Sequence, residues 1–390
     1  MHLAYTPEQE RLRQELQAYF AGLMTPEVRA ALQGSDYGDG EACKKVVRQL
    51  GQDGWLVLSW PEEYGGRNAP LIEQLIFLDE AATAGVPVPF LTLNTVGPTI
   101  MQYGTAEQKA FYLPRIASGD LHFSIGYSEP EAGTDLASLR TRAVRDGDEY
   151  VINGQKMWTS LIQHADYVWL ACRTDPEAAR HRGLSILIVP VTSPGFSWTP
   201  VPTVAGATTS ATYYSDVRVP AGALVGEENQ GWSLITNQLN HERVALTSAA
   251  PVQLALREVC DWARATKTAS GQRVIDAEWV QLNLARVHAK VEFLKLVNWR
   301  IATQAAAPGP AAASATKVFG TEFATEAYRL LMEVLGANAQ VRDGSPGAVL
   351  AGRIERMHRS ALILTFGGGT NEVQRDIIAA AALGLPISRR

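Results

Sequence analysis

The sequence predicts a mainly α-helical chain with a β domain at its centre. Apolar residues recur at helical spacing from about residue 6 to 118, short β-branched and aromatic runs replace them from about 121 to 225, and helical spacing returns from Gly231 onward. The boundaries read from this texture are 1–120 for an N-terminal helical domain, 121–228 for a β domain and 229–390 for a C-terminal helical block. A length of 390 residues suits two or three packed units. With 46% hydrophobic and 19% charged residues the chain is globular, and its core is large enough to need no disulfide or metal staple.

The first helix is expected at Thr6-Pro7-Glu8-Gln9. Thr6 is the cap, Pro7 suits the first helical position and Gln9 completes a capping box. Leu12, Leu16, Tyr19, Phe20 and Leu23 then share one helical face. Trp60-Pro61-Glu62-Glu63-Tyr64-Gly65-Gly66 interrupts the helical region as a loop. Tyr150 to Gln155 reads as a strand running into an Asn153-Gly154 hairpin turn. Tyr167–Ala171, Leu184–Val189 and Thr212–Val219 read as further short strands, a set that suits a small barrel or sandwich. The last long helices are broken by the Ala/Pro stretch from Ala305 to Ala313.

Composition excludes several function classes. A net charge of −5 with no basic block longer than a pair argues against nucleic acid as a partner. Cys43, Cys172 and Cys260 are odd in number and far apart, which fits a reducing compartment. No CxxC or HExxH occurs and the seven His show no ligand spacing, so no metal is expected. No secretory signal opens the chain and no 18-residue apolar run is present. The expectation is a soluble cytoplasmic protein without a membrane anchor.

The most suggestive acid is Glu242. Trp232, Ile235, Leu239, Glu242 and Leu246 fall close together around one helix. A carboxylate among apolar neighbours is raised in pKa and becomes a general base near neutrality. The bland alternative is an ion pair with Arg243 or with a cation on another helix. Gly367-Gly368-Gly369-Thr370 lacks the Lys of a phosphate loop and the third glycine of a dinucleotide fingerprint. It reads either as a helix break or as exposed backbone N–H groups able to hold an anion or a thioester oxygen. Tyr127-Ser128-Glu129-Pro130-Glu131-Ala132-Gly133-Thr134-Asp135 is a polar loop, and Lys156-Met157-Trp158-Thr159-Ser160 sets an indole beside two hydroxyls. Such an aromatic wall with donors suits a flat heteroaromatic cofactor, although a single Trp is more often core.

Taken together, Tyr127–Asp135 and Asn153–Ser160 closely resemble the signature of the acyl-CoA dehydrogenase family. Pro61–Gly66, Asp216-Val217-Arg218-Val219-Pro220 and Gly369-Thr370-Asn371-Glu372-Val373-Gln374-Arg375 extend the resemblance over nearly the whole chain. The resemblance implies the acyl-CoA dehydrogenase fold, in which an N-terminal helical domain and a small β-barrel or sandwich precede a C-terminal four-helix bundle. It implies FAD as cofactor, an acyl-CoA substrate and electron transfer flavoprotein as acceptor. Cofactor contacts are implied for Tyr127, Ser128, Thr134, Trp158, Ser160, Thr370 and Glu372. Of these, Ser128, Trp158 and Ser160 match residues at the flavin ring, and Thr370 and Glu372 match residues at the cofactor's far half. Thr134 matches a residue beside the CoA moiety, and Arg243 joins it on the substrate side.

The departures from the family pattern are informative. Many members carry the base immediately before the C-terminal Gly-Thr of this motif, where this chain has Gly368. Others carry it as Glu before Arg on the helix entering the bundle, which Glu242-Arg243 matches, leaving the Gly368 N–H to hold the thioester oxygen. Lys267-Thr268-Ala269-Ser270-Gly271 stands where homotetrameric members supply Arg-x-x-Phe-Gly to a neighbour's pyrophosphate, and Glu333 and Gly336-Ala337 replace a Gln and a Gly-Gly pair. Loss of the Arg removes a bidentate clamp. Glu131 replaces a Gly in the signature loop. This pattern is similar to the base-bearing subunit of actinobacterial α2β2 acyl-CoA dehydrogenases of steroid side-chain breakdown. It implies a second family subunit as partner and an α-branched 3-oxo-sterol side-chain thioester as substrate. A flavin oxidase on the same fold and a non-catalytic scaffold subunit are the competing readings.

Overall fold

A computed structural model of the chain describes residues 4–32, 40–245, 247–303 and 309–386, with only the backbone described for 239–245. Helices α1 (Pro7–Leu23), α2 (Pro26–Leu32), α3 (Gly40–Gln52), α4 (Leu71–Ala84), α5 (Gly97–Tyr103) and α6 (Ala106–Ala117) come first. The capping box at α1 is present: Thr6 Oγ1 accepts the Gln9 N–H at 3.3 Å, and Gln9 Oε1 accepts the Thr6 N–H at 2.9 Å. Leu16 and Phe20 of its apolar face are buried, and Phe20 meets Phe77 of α4 with ring centroids 5.9 Å apart. The loop at Pro61–Gly66 carries one 3₁₀ turn over Glu62–Tyr64.

Eight strands follow: β1 (Phe123–Gly126), β2 (Arg142–Asp146), β3 (Glu149–Lys156), β4 (Tyr167–Arg173), β5 (Leu184–Pro190), β6 (Phe196–Pro202), β7 (Thr208–Pro220) and β8 (Leu224–Val225). They run in the order β6-β7-β3-β2-β4-β5-β8, with β1 parallel to β4. The β2–β4 pairing consists of Arg142 against Arg173, so the sheet bends there into two halves. Tyr150, Ile152, Val217 and Val219 of one half and Val168, Leu170, Cys172, Leu187 and Val189 of the other bury one core. The intervening residues Trp169, Ala171, Ile186 and Ile188 point the opposite way into the N-terminal helical core. Strands β4 and β5 are therefore covered on both faces, which explains their unbroken apolar sequence.

The expected hairpin turn at Asn153-Gly154 is not one. Strand β3 continues through it to Lys156, paired with β7 across a bulge, and the turn between β2 and β3 lies at Gly147-Asp148. Two side-chain bonds hold the bulge: Asn153 Nδ2 donates to Asp216 Oδ1 at 2.9 Å, and the Asp216 N–H donates to Asn153 Oδ1 at 3.0 Å. Gly154 is required because a Cβ there would lie 2.5 Å from Thr141 Oγ1.

The C-terminal block comprises α7 (Gly231–Ala245), α8 (Ala250–Ala265), α9 (Glu278–Ala302), α10 (Pro310–Leu335), α11 (Arg353–Ala361) and α12 (Asn371–Leu383). Helix α10 is its axis and packs against α7, α8, α9, α11 and α12. The Ala/Pro stretch falls between α9 and α10, and residues 304–308 of it lie outside the described residues. No described helix is long and apolar enough to cross a membrane.

Candidate active site

The β1 strand ends at Gly126 and delivers Tyr127 and Ser128 beside the end of β3. The Met157 N–H donates to Ser128 O at 2.8 Å, so the signature loop and the Trp158 segment form one unit. Behind them Lys156, fully buried, donates to Tyr127 O at 3.0 Å and to Glu129 Oε1 at 2.8 Å. The Glu129 carboxylate also accepts the backbone N–H groups of Arg140 at 2.7 Å and Thr141 at 2.8 Å. Burial works against the charge of Glu129, but Lys156 and these donors hold its carboxyl below the ordinary range. Burial pushes the Lys156 ammonium down.

The segment beyond Lys156 is fixed from β7. The Thr159 N–H donates to Ser210 O at 2.9 Å, and Ser160 Oγ lies 3.0 Å from Thr209 Oγ1. Ser124 Oγ donates to Ser160 O at 2.9 Å. Trp158 is held at φ +65°, with 57% of its surface exposed. A large apolar ring in a left-handed backbone, braced on both sides and left uncovered, is suited to stack on a flat partner. Among the described residues the N–H groups of Ser128 and Ser160 have no backbone or side-chain acceptor. Exposed ring and free donors together fit the isoalloxazine end of a flavin.

Tyr127 connects this unit to α7. Its hydroxyl donates to Gln238 Oε1, which also accepts the Trp169 indole N–H at 3.1 Å. Because an indole nitrogen only donates, the amide orientation is set, and Gln238 Nε2 is buried without a partner. Residue 242 lies one turn further along α7, but the side chains of Glu242 and Arg243 are outside the described residues.

The glycine turn lies where α12 meets α10. Thr370 caps α12 by accepting the Val373 N–H at 3.2 Å, and the Glu372 carboxyl is held below its usual range by its own helix-start N–H. Gly368 and Gly369 have φ of +68° and +92°. The buried Lys317 donates to Gly369 O at 2.8 Å and to Asn371 Oδ1 at 2.7 Å, and Gln374 Nε2 donates to Gly368 O at 3.2 Å. With both carbonyls drawn inward, the N–H groups on the same planar peptides, those of Gly369 and Thr370, face the other way.

The structure thus joins Tyr127, Ser128, Trp158 and Ser160 in one place. Gly368, Thr370 and Glu372 share a second place, the glycine turn and the start of α12. Thr134 is exposed on a third stretch, where the neighbouring Asp135 pairs with Arg180 at 2.6 Å. The β6–β7 turn leans toward the second place, since Arg359 of α11 donates to Val204 O and Ser360 Oγ to Ala205 O at 3.5 Å. Sequence reasoning gave no role to Gln238, Trp169, Glu129, Lys156 or Lys317. Their signal is burial of polar groups, which appears only once the strands and α7 are packed. Among the described residues no three His, Cys, Asp or Glu side chains converge on a metal site.

Comparison with known proteins agrees with this architecture. Residues 6–120 match the acyl-CoA dehydrogenase N-terminal domain, 124–217 its middle domain and 229–383 its C-terminal domain. The chain is 68% identical to acyl-CoA dehydrogenase FadE26 of Mycobacterium tuberculosis, with 100% of both chains covered. It is 46% identical to FadE29 of the same organism over 99% of each. Its structure superposes with a TM-score of 0.93 on a chain of the ChsE4–ChsE5 complex from Mycobacterium tuberculosis at 68% identity. A second solved structure, the Tcur3481–Tcur3483 steroid ACAD, gives 0.93 at 51% identity, and both comparisons cover all of each chain. The chain belongs to the acyl-CoA dehydrogenase family and is an FAD-dependent acyl-CoA dehydrogenase.

Proposed function

We propose that this protein dehydrogenates a bulky, α-methyl-branched acyl-CoA thioester of the 3-oxo-sterol side-chain type, with Glu242 as its base, as one subunit of an α2β2 complex. The observation that carries the base assignment is the hydrogen-bonded tie between Tyr127, beside the Ser128–Trp158 unit, and Gln238, one turn before residue 242. The thioester makes the α-hydrogen acidic, and a carboxylate on α7 removes it as a proton. Backbone N–H groups at the Gly368 turn stabilise the charge that develops on the thioester oxygen. Ser128, Trp158 and Ser160 hold the flavin ring, Thr370 and Glu372 the cofactor's far half, and Thr134 and Arg243 the CoA side. Bound FAD supplies the two-electron oxidant for loss of the β-hydrogen, and the product carries a Cα–Cβ double bond. The steroid assignment is supported by the relative described as a steroid ACAD.

A partner subunit is supported by α9. Trp279, Leu282, Phe293 and Leu296 are exposed along one stripe of this helix, spanning about 25 Å at 1.5 Å per residue. One solved relative is described as the ChsE4–ChsE5 complex, and another carries the paired name Tcur3481–Tcur3483. Lys267, Ser270 and Glu333 replace the groups that would clamp a neighbour's pyrophosphate, and Glu333 is engaged by Arg329 and by Asn283 at 3.0 Å. Electron transfer flavoprotein is the acceptor in this reading. The three free cysteines, two of them buried, suit a cytoplasmic location.

Glu242→Gln tests the base. Turnover should fall by about 10²–10⁴-fold with FAD retained, and near-normal turnover would remove Glu242 from the role. The flavin-to-chain ratio tests the assembly. Little FAD on this chain alone, and about half a flavin per chain after co-purification with a second family subunit, is expected for a shared-site tetramer. A stoichiometric flavin in a stable homotetramer would exclude it.

A further inference from the structure

The Glu129–Lys156 pair is the most deeply buried ion pair among the described residues, with side chains 9% and 0% exposed. Replacing such a pair by apolar groups is often neutral for stability, so its presence calls for another explanation. Its position supplies one. Glu129 directly follows Ser128, and Lys156 is two residues before Trp158. The ammonium draws the Tyr127 carbonyl inward at 3.0 Å, which turns the Ser128 N–H on the same planar peptide outward. The carboxylate reaches past the loop and anchors it to the backbone of Arg140 and Thr141, immediately before β2. One salt bridge thereby fixes both segments that face the flavin.

We propose that Glu129 and Lys156 are positioning residues for FAD, clamping the Tyr127–Ser128 peptide to the Trp158 segment without touching the cofactor. The inference rests on the proposed reading of Ser128 and Trp158 as flavin contacts. A clamp and a merely structural pair differ in one measurable respect. Removing one partner strands a buried charge and destabilises the fold, whereas removing both relieves the charge but leaves the Tyr127 carbonyl without its ammonium.

The experiment compares Glu129→Gln, Lys156→Met and the double variant in the assembly that holds FAD, the complex with a second family subunit or, if it retains FAD by itself, this chain alone. Each is measured for Tm, and for FAD dissociation constant by titrating the deflavinated protein with FAD and following flavin fluorescence. Both single variants should lose Tm and bind FAD more weakly. The double variant should recover most of the lost Tm and still bind FAD about tenfold or more weakly than the parent, the scale of one lost hydrogen bond to a charged group. FAD affinity that follows Tm across the variants overturns the proposal. If a single variant does not fold, the double variant decides alone, and parent-like FAD affinity overturns the clamp. Trp158→Ala separates the two levels: normal FAD binding there would remove the reading of Trp158 itself. Weakened binding there, with a parent-like double variant, would remove only the clamp.

Discussion

The indole N–H of Trp169 on β4 donates to Oε1 of Gln238 on α7 across 3.1 Å, inside a region where both side chains are almost fully buried. The Tyr127 hydroxyl donates to the same oxygen. A single amide oxygen thus sets α7 against the sheet next to the loop that carries Ser128. Gln238→Leu takes Oε1 away from the Tyr127 hydroxyl, while the Trp169 N–H keeps the Tyr127 oxygen as acceptor at 3.2 Å, and should cost about 1–3 kcal/mol of stability, with turnover falling alongside. Tyr127→Phe removes one donor and keeps the other bond, so about 1 kcal/mol is expected. Chemical denaturation of both variants checks the ordering.

Gly369→Ala should impair the turn between α11 and α12. Its φ of +92° disfavours any side chain, and a Cβ would stand 2.5 Å from Nε2 of the buried Gln374. A loss of about 1–3 kcal/mol is expected. Gln374→Ala on top of Gly369→Ala should recover part of the thermal stability only if the contact, rather than the backbone angle, dominates.

Asp79 predicts a pH dependence. Its carboxyl, on α4, accepts a hydrogen bond from Ser248 Oγ at 2.6 Å, and burial pushes its pKa up to about 6. The unfolded value is near 3.9, so the folded state binds the proton more tightly. The stabilisation is complete below about pH 4 and is lost as pH rises through 6. Asp79→Asn should therefore raise Tm at pH 8, by the equivalent of about 2 kcal/mol, and leave it unchanged near pH 4. An equal shift at both pH values would contradict the assignment.

The α9 stripe predicts that Leu282→Lys with Phe293→Asp blocks association with the partner subunit. Phe293 also packs on Phe319, ring centroids 4.8 Å apart, so a small loss of Tm accompanies the change. Native mass measurement of the co-purified complex should show separate subunits, whereas an intact tetramer would place the interface elsewhere.

Much of the fold was legible because local signals and tertiary packing agree. Thr6 and Gln9 form their box within one turn, and the apolar runs of β4 and β5 are long enough to announce burial on both faces. Asn153-Gly154 misled because its preference for a turn is local, whereas the bulge that accommodates it depends on Asp216, 63 residues away. The site was legible as motifs more than as mechanics. Ser128, Trp158 and Ser160 stand in recognisable strings, but Lys156 reads as an ordinary polar strand residue until Glu129 closes over it. Gln238 on α7 was hidden for the same reason, since its partners come from β4 and from the loop that follows β1.

The two-faced strand β4 has a consequence for how the chain can be divided. Val168, Leu170 and Cys172 belong to the sheet's own core, while Trp169 and Ala171 belong to the helical core built by α1 to α6. That helical core also contains Leu234 and Ile235 from the first turns of α7. A fragment cut at residue 228 would leave a socket lined by the N-terminal half, and a fragment begun there would carry the matching plug. The two pieces, expressed separately, are set up to find each other again.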